Sequence, residues 1–503
     1  MTPIYTSAQL LELFRRASND YGLSMADLIE RAAQGFVNLF TQYYSVASRV
    51  HIFAGPDRTG AIALAVARML SERGRPISVY LFYHQGRISS ECETERQRLL
   101  QSEVELTEVT NQFRPPRITS AEILVDGLWG SDLVSPLEGG FLGLAKWINA
   151  QDVEVVSIDL PSGLFADSNS HNDISQVVAA QRTICYEVPR LSMLFAEHRD
   201  LVGRWHCSYL GLPQELHRGQ DTPYYCINEP MLAELLQPRR PFGTLADYGP
   251  LLIGATRGSD LALLPYLAEA AQLVGCSVID VQLESSPDLA WQALCPELSV
   301  SVSQAGMHRY ESGYLRRHRA LALGLVELEG ELDRDLLRDI FLSYRRPLVL
   351  DGVAVSQLRE APALLDSIPE DSILVLDNDT REELLGLNFS DSDYLEAARD
   401  FARKHRVSLV LRGTYTSVVR PSGHVYFSLT GNEGMHKRGI NALLSAMLAG
   451  LMARGYDTFS ASLLACHLWG AASDLYVGRH SSESLSVRGL LASIPEAWRQ
   501  LEL

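Results

Sequence analysis

Asp126, Asp159 and Ser162 are the residues of the first half whose types and positions could do chemistry. Asp159 ends the apolar run VEVVSID, in which Val153, Val155, Val156 and Ile158 predict a buried parallel strand. Pro161 and Gly163 then turn the chain around Ser162. Asp126 ends a second run, Ala121–Asp126. In an open α/β sheet, ligands lie outside the carboxyl ends of the strands. Two strand-terminal carboxylates therefore predict a pocket on one rim, with Asp159 suited to acid/base work. The plainer alternative is an aspartate that caps a turn.

The elements that must position these groups alternate. Helices are predicted from Ser7 and from Ser24 to about Tyr43. The strand Val50–Ala54 turns at Gly55-Pro56 into a helix over Gly60–Leu70, and such a turn can hold an anion. Only Gly55 and Gly60 remain there, so the glycine signal is thin. Ile77–Phe82 reads as a strand, Glu91–Leu100 and Gly143–Asn149 as helices, and Arg182–Glu187 and Trp205–Leu210 as further strands. This is a doubly wound α/β/α domain of Rossmann-like type over residues 1–215. Residues 216–240 mix Pro, Gly and charge, and read as a linker. A second α/β domain over 241–503 opens with the strand Leu251–Gly254, the helix Ser259–Leu273 and the strand Ser277–Val281. Pro347–Asp351 and Ile373–Asp377 again end in carboxylates, Ser408–Arg412 is a strand, and two buried helices run from Gly439 to about Ala472.

The formal net charge is −17, from 44 basic and 61 acidic residues, which disfavours nucleic acid as a partner. No apolar run approaches the ~18 residues that span a membrane. The seven cysteines show no CxxC pair or metal spacing. A reduced, cytoplasmic protein is expected.

Several longer segments carry a resemblance. They are GLSMADLIERAA at 22–33, VDGLWGSDL at 125–133, SIDLPSGL at 157–164, LLIGATRGSDLALL at 251–264, LVLDGVAV at 348–355, LVLRGTYTSVVRPSG at 409–423 and TGNEGMHKRGINALLSAMLAGLMARG at 430–455. Over nearly its whole length the chain resembles the bifunctional NAD(P)H-hydrate repair enzymes. In that family an NAD(P)HX epimerase domain precedes an ADP- or ATP-dependent dehydratase of ribokinase-like fold. The resemblance implies a potassium ion at Asp126 and Ser162, and catalysis by Asp159 with the residue at Arg190. It implies substrate contacts at Gly130, Ser131, Asp132, Leu133, Asp159 and Glu382, and nucleotide contacts at Arg412, Gly413, Gly439, Asn441 and Ala442. The expected partners are these small nucleotides or none, and a homo-oligomer is compatible with the sequence.

The departures sit on the chemistry. The family's Asn-Asn-Gly-Gly-Asp-Gly loop is Arg58-Thr59-Gly60-Ala61-Ile62-Ala63 here, so a cation replaces an amide near the expected metal. Its lysine is Arg190, which keeps its proton to above pH ~12 and cannot exchange it as a lysine does. Its His-Pro-Gly-Glu is Asp379-Thr380-Arg381-Glu382, and its Lys-Gly is Arg412-Gly413. Its Gly-Gly-Thr-Gly-Asp turn is Arg438-Gly439-Ile440-Asn441-Ala442, in which Ala442 replaces the base and Ile440 and Arg438 are expected to crowd a phosphate. Three readings stand: a repair enzyme working at its epimerase site, a catalytically dead member that binds a nucleotide or serves as a scaffold, and Arg190 and Arg412 as structural cations on local carboxylates.

Overall fold

The computed structural model describes residues 2–84, 86–218, 220–254, 262–283, 299–302, 312–325, 334–386 and 390–502. They divide into two compact units. One is Pro3–Thr222 with Ser390–Ser392, and the other is Met1–Thr2 with Pro223–Phe389 and Asp393–Leu503.

After the short strand β1 (Thr2–Pro3), the first unit holds β2 (Val50–Ala54), β3 (Ile77–Phe82), β4 (Glu105–Val109), β5 (Ile123–Gly127), β6 (Glu154–Ile158), β7 (Arg182–Tyr186) and β8 (Arg204–Ser208). They form one sheet in the order β4-β3-β2-β5-β6-β7-β8. Every pairing in it is parallel. All five residues of β2 and of β5 are buried, as strands covered on both faces must be. Helices α1 (Ser7–Tyr21) and α2 (Met25–Tyr43) start at capping boxes, Thr6 with Gln9 and Ser24 with Asp27. Helices α3 (Arg58–Glu72), α4 (Ser90–Leu100) and α5 (Gly139–Asn149) follow β2, β3 and β5. Strand β4 gives no strand signal in the sequence pattern. Its sequence ELTEV is a half-exposed edge strand, and two glutamates hide the alternation.

The turn after β2 needs its glycines for close approach of backbone. A Cβ on Gly55 would lie 1.8 Å from the Leu128 carbonyl oxygen, and one on Gly60 would lie 1.8 Å from the Gly55 carbonyl oxygen.

In the second unit, β9 (Tyr224–Cys226), β10 (Leu251–Gly254), β11 (Ile279–Leu283), β12 (Ser299–Val302), β13 (Ala320–Leu323), β14 (Val349–Leu350), β15 (Ile373–Leu376), β16 (Ser408–Leu411), β17 (Ser417–Val419) and β18 (Val425–Phe427) follow in the chain. Among the described residues the sheet has 11 strands, ordered β1-β9-β18-β17-β16-β15-β14-β13-β10-β11-β12. Among the described pairings β16-β17 and β17-β18 are antiparallel, and together they form a hairpin at the end of the parallel run. The first part of the Ser259–Leu273 helix lies outside the described residues, and the described helix runs Leu264–Leu273.

The linker reading of 216–240 needs correction. The stretch holds β9, which pairs parallel with β18, and a helix, Glu229–Leu235, capped by Asn228. The division between the units falls at Thr222 and Pro223. The three-residue apolar signal of β9 is too short to stand out among the flanking Pro, Gly and charge.

The second core centres on the helices Ile440–Arg454 and Thr458–Val477, apolar on all sides and correspondingly buried. One imidazole lies among them. His467 is 6% exposed, and burial pushes its pKa down to about 4. It folds neutral, so its contribution is full above the unfolded value near 6.5 and falls away as pH drops from there. Between pH 6.5 and 5 the second unit is expected to lose about 2 kcal/mol from this group. Urea midpoints across that range test this, and His467→Leu is expected to flatten the dependence. Among the described residues no helix is long and apolar enough to cross a membrane.

Candidate functional site

The carboxyl ends of β5 and β6 bring the first set of residues together. Asp126 pairs in register with Ser157 on the neighbouring strand and is fully buried. Its Oδ2 accepts from Ser157 Oγ at 2.8 Å and from the Ser162 amide at 2.8 Å, and its Oδ1 accepts from Ser162 Oγ at 2.5 Å. The Leu128 amide adds a longer contact at 3.4 Å. Burial pushes the Asp126 carboxyl up, and the serine donors offset part of that.

Asp159 follows β6 in the left-handed region, at φ 68°. Its Oδ1 accepts from Arg190 Nη2 at 2.6 Å and its Oδ2 from the Ser131 amide at 2.7 Å. Arg190 is 1% exposed. It also donates to the Tyr186 carbonyl at 3.2 Å and to the Val188 carbonyl. Burial pushes Asp159 up, and the guanidinium with the Ser131 donors outweighs it, so the carboxyl sits below its usual range. Arg190 is thus ion-paired with a buried aspartate.

The loop 130–133 closes over this pair. A Cβ on Gly130 would lie 2.5 Å from Thr59 Oγ1 and 2.7 Å from Asp159 Oδ2. Leu133 is buried. Asp132 accepts from Arg58 Nη2 at 2.6 Å, and the Arg58 guanidinium lies 5.1 Å from the Phe14 ring centroid. Burial pushes the Asp132 carboxyl up, and Arg58 offsets part of that. The cavity between Arg58, Ser131, Asp159, Tyr186 and Arg190 measures ≈ 20 Å³. That is room for about one water. The buried Tyr186 hydroxyl beside it has no hydrogen-bond partner among the described residues. Pattern reading missed Tyr186 and Ser157 as site residues, since both lie inside strands and neither stands at a turn.

A potassium ion at Asp126 and Ser162 would share its ligands with an existing hydrogen-bond network. Both Asp126 oxygens are engaged by donors, and Arg58 brings a fixed positive charge to the loop where the family has an amide.

The second set gathers at the ends of β14 and β16. Asp351 follows β14 and caps the helix Gly352–Glu360 through the Gly352 amide at 2.7 Å. Arg412, after β16, donates to Asp351 Oδ1, and Ser445 Oγ donates to Asp351 Oδ2 at 2.7 Å. Both charged side chains are nearly buried, at 8% and 6% exposure. Asp351 was legible as a strand-end carboxylate, but its partners lie 61 and 94 residues away. Gly413 is exposed, and Glu382 is exposed on the helix Asn378–Leu385.

Gly439 stands at φ 85° before the helix Ile440–Arg454, whose first turn has no side-chain cap. Asn441 is exposed, and Ala442 is half-buried against the core. The crowding expected from Ile440 is not found. Its side chain is fully buried in the core, because the first turn of this helix faces inward. Arg438 is exposed. The turn could still accept phosphate on backbone N–H groups. Arg412 would have to leave Asp351 to assist.

Comparison with known proteins now bears on these sites. The family described as YjeF-related protein N-terminus matches residues 25–192, and NAD(P)H-hydrate dehydratase matches residues 263–496. A bifunctional NAD(P)H-hydrate repair enzyme of Moorella thermoacetica is 25% identical, over 99% of this chain and 97% of its own. One of Coxiella burnetii is 26% identical over 98% of each chain. A solved ribokinase-like protein of Enterococcus faecalis aligns with 56% of this chain and 97% of its own at 16% identity and a TM-score of 0.48. With both domain families in order and relatives matching end to end, the chain belongs to the family of bifunctional NAD(P)H-hydrate repair enzymes.

Proposed function

We propose that this protein is a silent member of the repair family, in which neither ancestral site converts NAD(P)H hydrates at an enzyme's rate. One observation carries the reading. In each half an arginine is buried against a strand-end aspartate, Arg190 on Asp159 and Arg412 on Asp351. Asp159, held below its usual range by Arg190 and Ser131, has no proton to give, and in each half the arginine occupies the carboxylate oxygen that a substrate would need. A cavity of ≈ 20 Å³ in the first half is far below the ~300 Å³ of small-molecule pockets. In the second half Ala442 stands where the family has its base. On this reading the chain serves as a scaffold or as a binder of ADP or ATP without turnover.

A second reading keeps epimerisation of NAD(P)HX. It is favoured by Asp159, an ionised carboxylate at a strand end whose second oxygen meets only the Ser131 amide among the described residues. Incubating the full-length protein with a single NADHX epimer separates the two. No acceleration of epimer interconversion is expected. Interconversion speeded more than about tenfold, without NADH formation, would establish the second reading and overturn the first for this half.

A further inference from the structure

The first sheet leaves a gap on one face. α3 belongs to the core on one side of the sheet, and α5 packs into the core on the other, with Phe53, Phe82 and Leu124. The crossovers from β2 to β3, β3 to β4 and β5 to β6 each carry a helix. Residues 110–122, from β4 to β5, form none. A cavity of ≈ 680 Å³ opens between the carboxyl ends of β3 and β4, this loop, and the first turn of α5. It shares no lining residue with the pocket at Asp159 and Arg190.

Its walls are aromatic. Phe82, Tyr83, Phe113, Phe141 and Trp147 line it. Phe113 stands edge-on to Phe82, with centroids 4.9 Å apart, and edge-on to Trp147 at 6.2 Å. At the mouth lie Asn111, Thr110 and His84, with no lysine or arginine among the lining residues. Glu138 precedes α5 at the rim and makes no side-chain cap. Gly139 and Gly140, which follow, and Gly143 have no atom within 4 Å of where a Cβ would stand. This turn presents bare backbone donors to an open space.

We infer that this cavity binds a small, uncharged, planar heteroaromatic molecule of the nucleobase or nucleoside class. The volume lies in the range of ligand pockets, about 300–1,000 Å³. Aromatic walls offer stacking to any such ring. Asn111, Thr110 and the α5 amides offer hydrogen bonds to ring edges. The absence of a lining cation and the Glu138 carboxylate at the rim disfavour a phosphate, so the ligand is uncharged.

The test uses the full-length protein with adenosine and uridine as probes and AMP as the anionic control. Calorimetric titration gives affinity, and hydrogen exchange gives location. Gly140→Leu and Gly143→Leu place a side chain in the cavity where nothing obstructs it, and thermal unfolding reports that each folds. Expected are a Kd at or below about 1 mM for at least one nucleoside and no tighter binding of AMP. Residues 110–115 should be protected by the ligand, and affinity should fall about tenfold or more in both variants. Absence of saturable binding, tighter binding of AMP, protection elsewhere, or unchanged affinity in the filled variants would each overturn the inference.

Discussion

Arg190→Met is expected to destabilise the first unit by about 3–5 kcal/mol at neutral pH, the cost of leaving a buried charge without its partner. Arg190 is 1% exposed, and Asp159 is 5% exposed. Without the guanidinium, Asp159 keeps only the Ser131 amide among its described donors. Burial would then dominate and push the carboxyl up. Pairing the change with Asp159→Asn is expected to restore most of the loss. Asparagine tolerates the left-handed φ of 68° and buries no charge. The difference between the single and double variants measures the coupling. The pH dependence has a definite sign. The folded pKa of Asp159 lies below its unfolded value near 3.9, so the pair's stabilisation is full above that value and is lost as pH falls through the folded one. Arg190→Met should therefore remove part of the acid sensitivity while lowering stability at pH 7. Calorimetry of the first unit should show a fall in Tm of roughly 10 °C. A fall equivalent to less than about 1 kcal/mol would mean that Asp159 is solvated and the pair is not a buried one.

ADP-dependent dehydration of NADHX is expected to be undetectable in the unmodified protein. The hydroxyl that must attack phosphate is a poor nucleophile until a base takes its proton, and losing a positioned base costs about 10²–10⁴ in rate. Position 442 holds a methyl group against the core. Asp351, a buried carboxylate of the same unit, is held by Arg412, Ser445 and the Gly352 amide. Ala442→Asp alone is expected to recover little, because Arg412 remains on Asp351 and Arg438 and Asn441 still differ from the family's glycines. Arg438→Gly, Ile440→Thr, Asn441→Gly and Ala442→Asp together should recover more. Since Ile440 points into the core, its replacement is the least needed of the four and is expected to cost stability. Initial rates at saturating ADP are the measurement. Turnover by the unmodified protein within tenfold of about 10 s⁻¹ would mean that another residue supplies the base.

Local patterns made much of the fold legible. β2, β5 and β6 are short β-branched runs ended by turns, and α1 and α2 begin at capping boxes that a sequence displays directly. β4 and β9 were lost because one is acidic and the other is three residues long. The position of these groups was legible by type, since Asp126 and Asp159 stand at the carboxyl ends of neighbouring parallel strands and Ser162 donates to Asp126. The state of the site was not. The Arg190–Asp159 pair spans 31 residues and the Arg412–Asp351 pair 61, and no periodicity announces which cation closes on which carboxylate. Ile440 shows the reverse error, because bulk in a motif matters only once the helix's inward face is known.

The glycines around the first pocket have a consequence for how such a chain changes over time. Gly55 and Gly60 admit no Cβ because backbone from Leu128 and from Gly55 itself stands in the way, and Gly130 is hemmed in by Thr59 and Asp159. These positions answer to shape, whatever becomes of the chemistry. On the proposed reading the side chains of the site are free to change, and the backbone that surrounds them is not. A lineage can in this way lose a reaction long before it loses the outline of the enzyme.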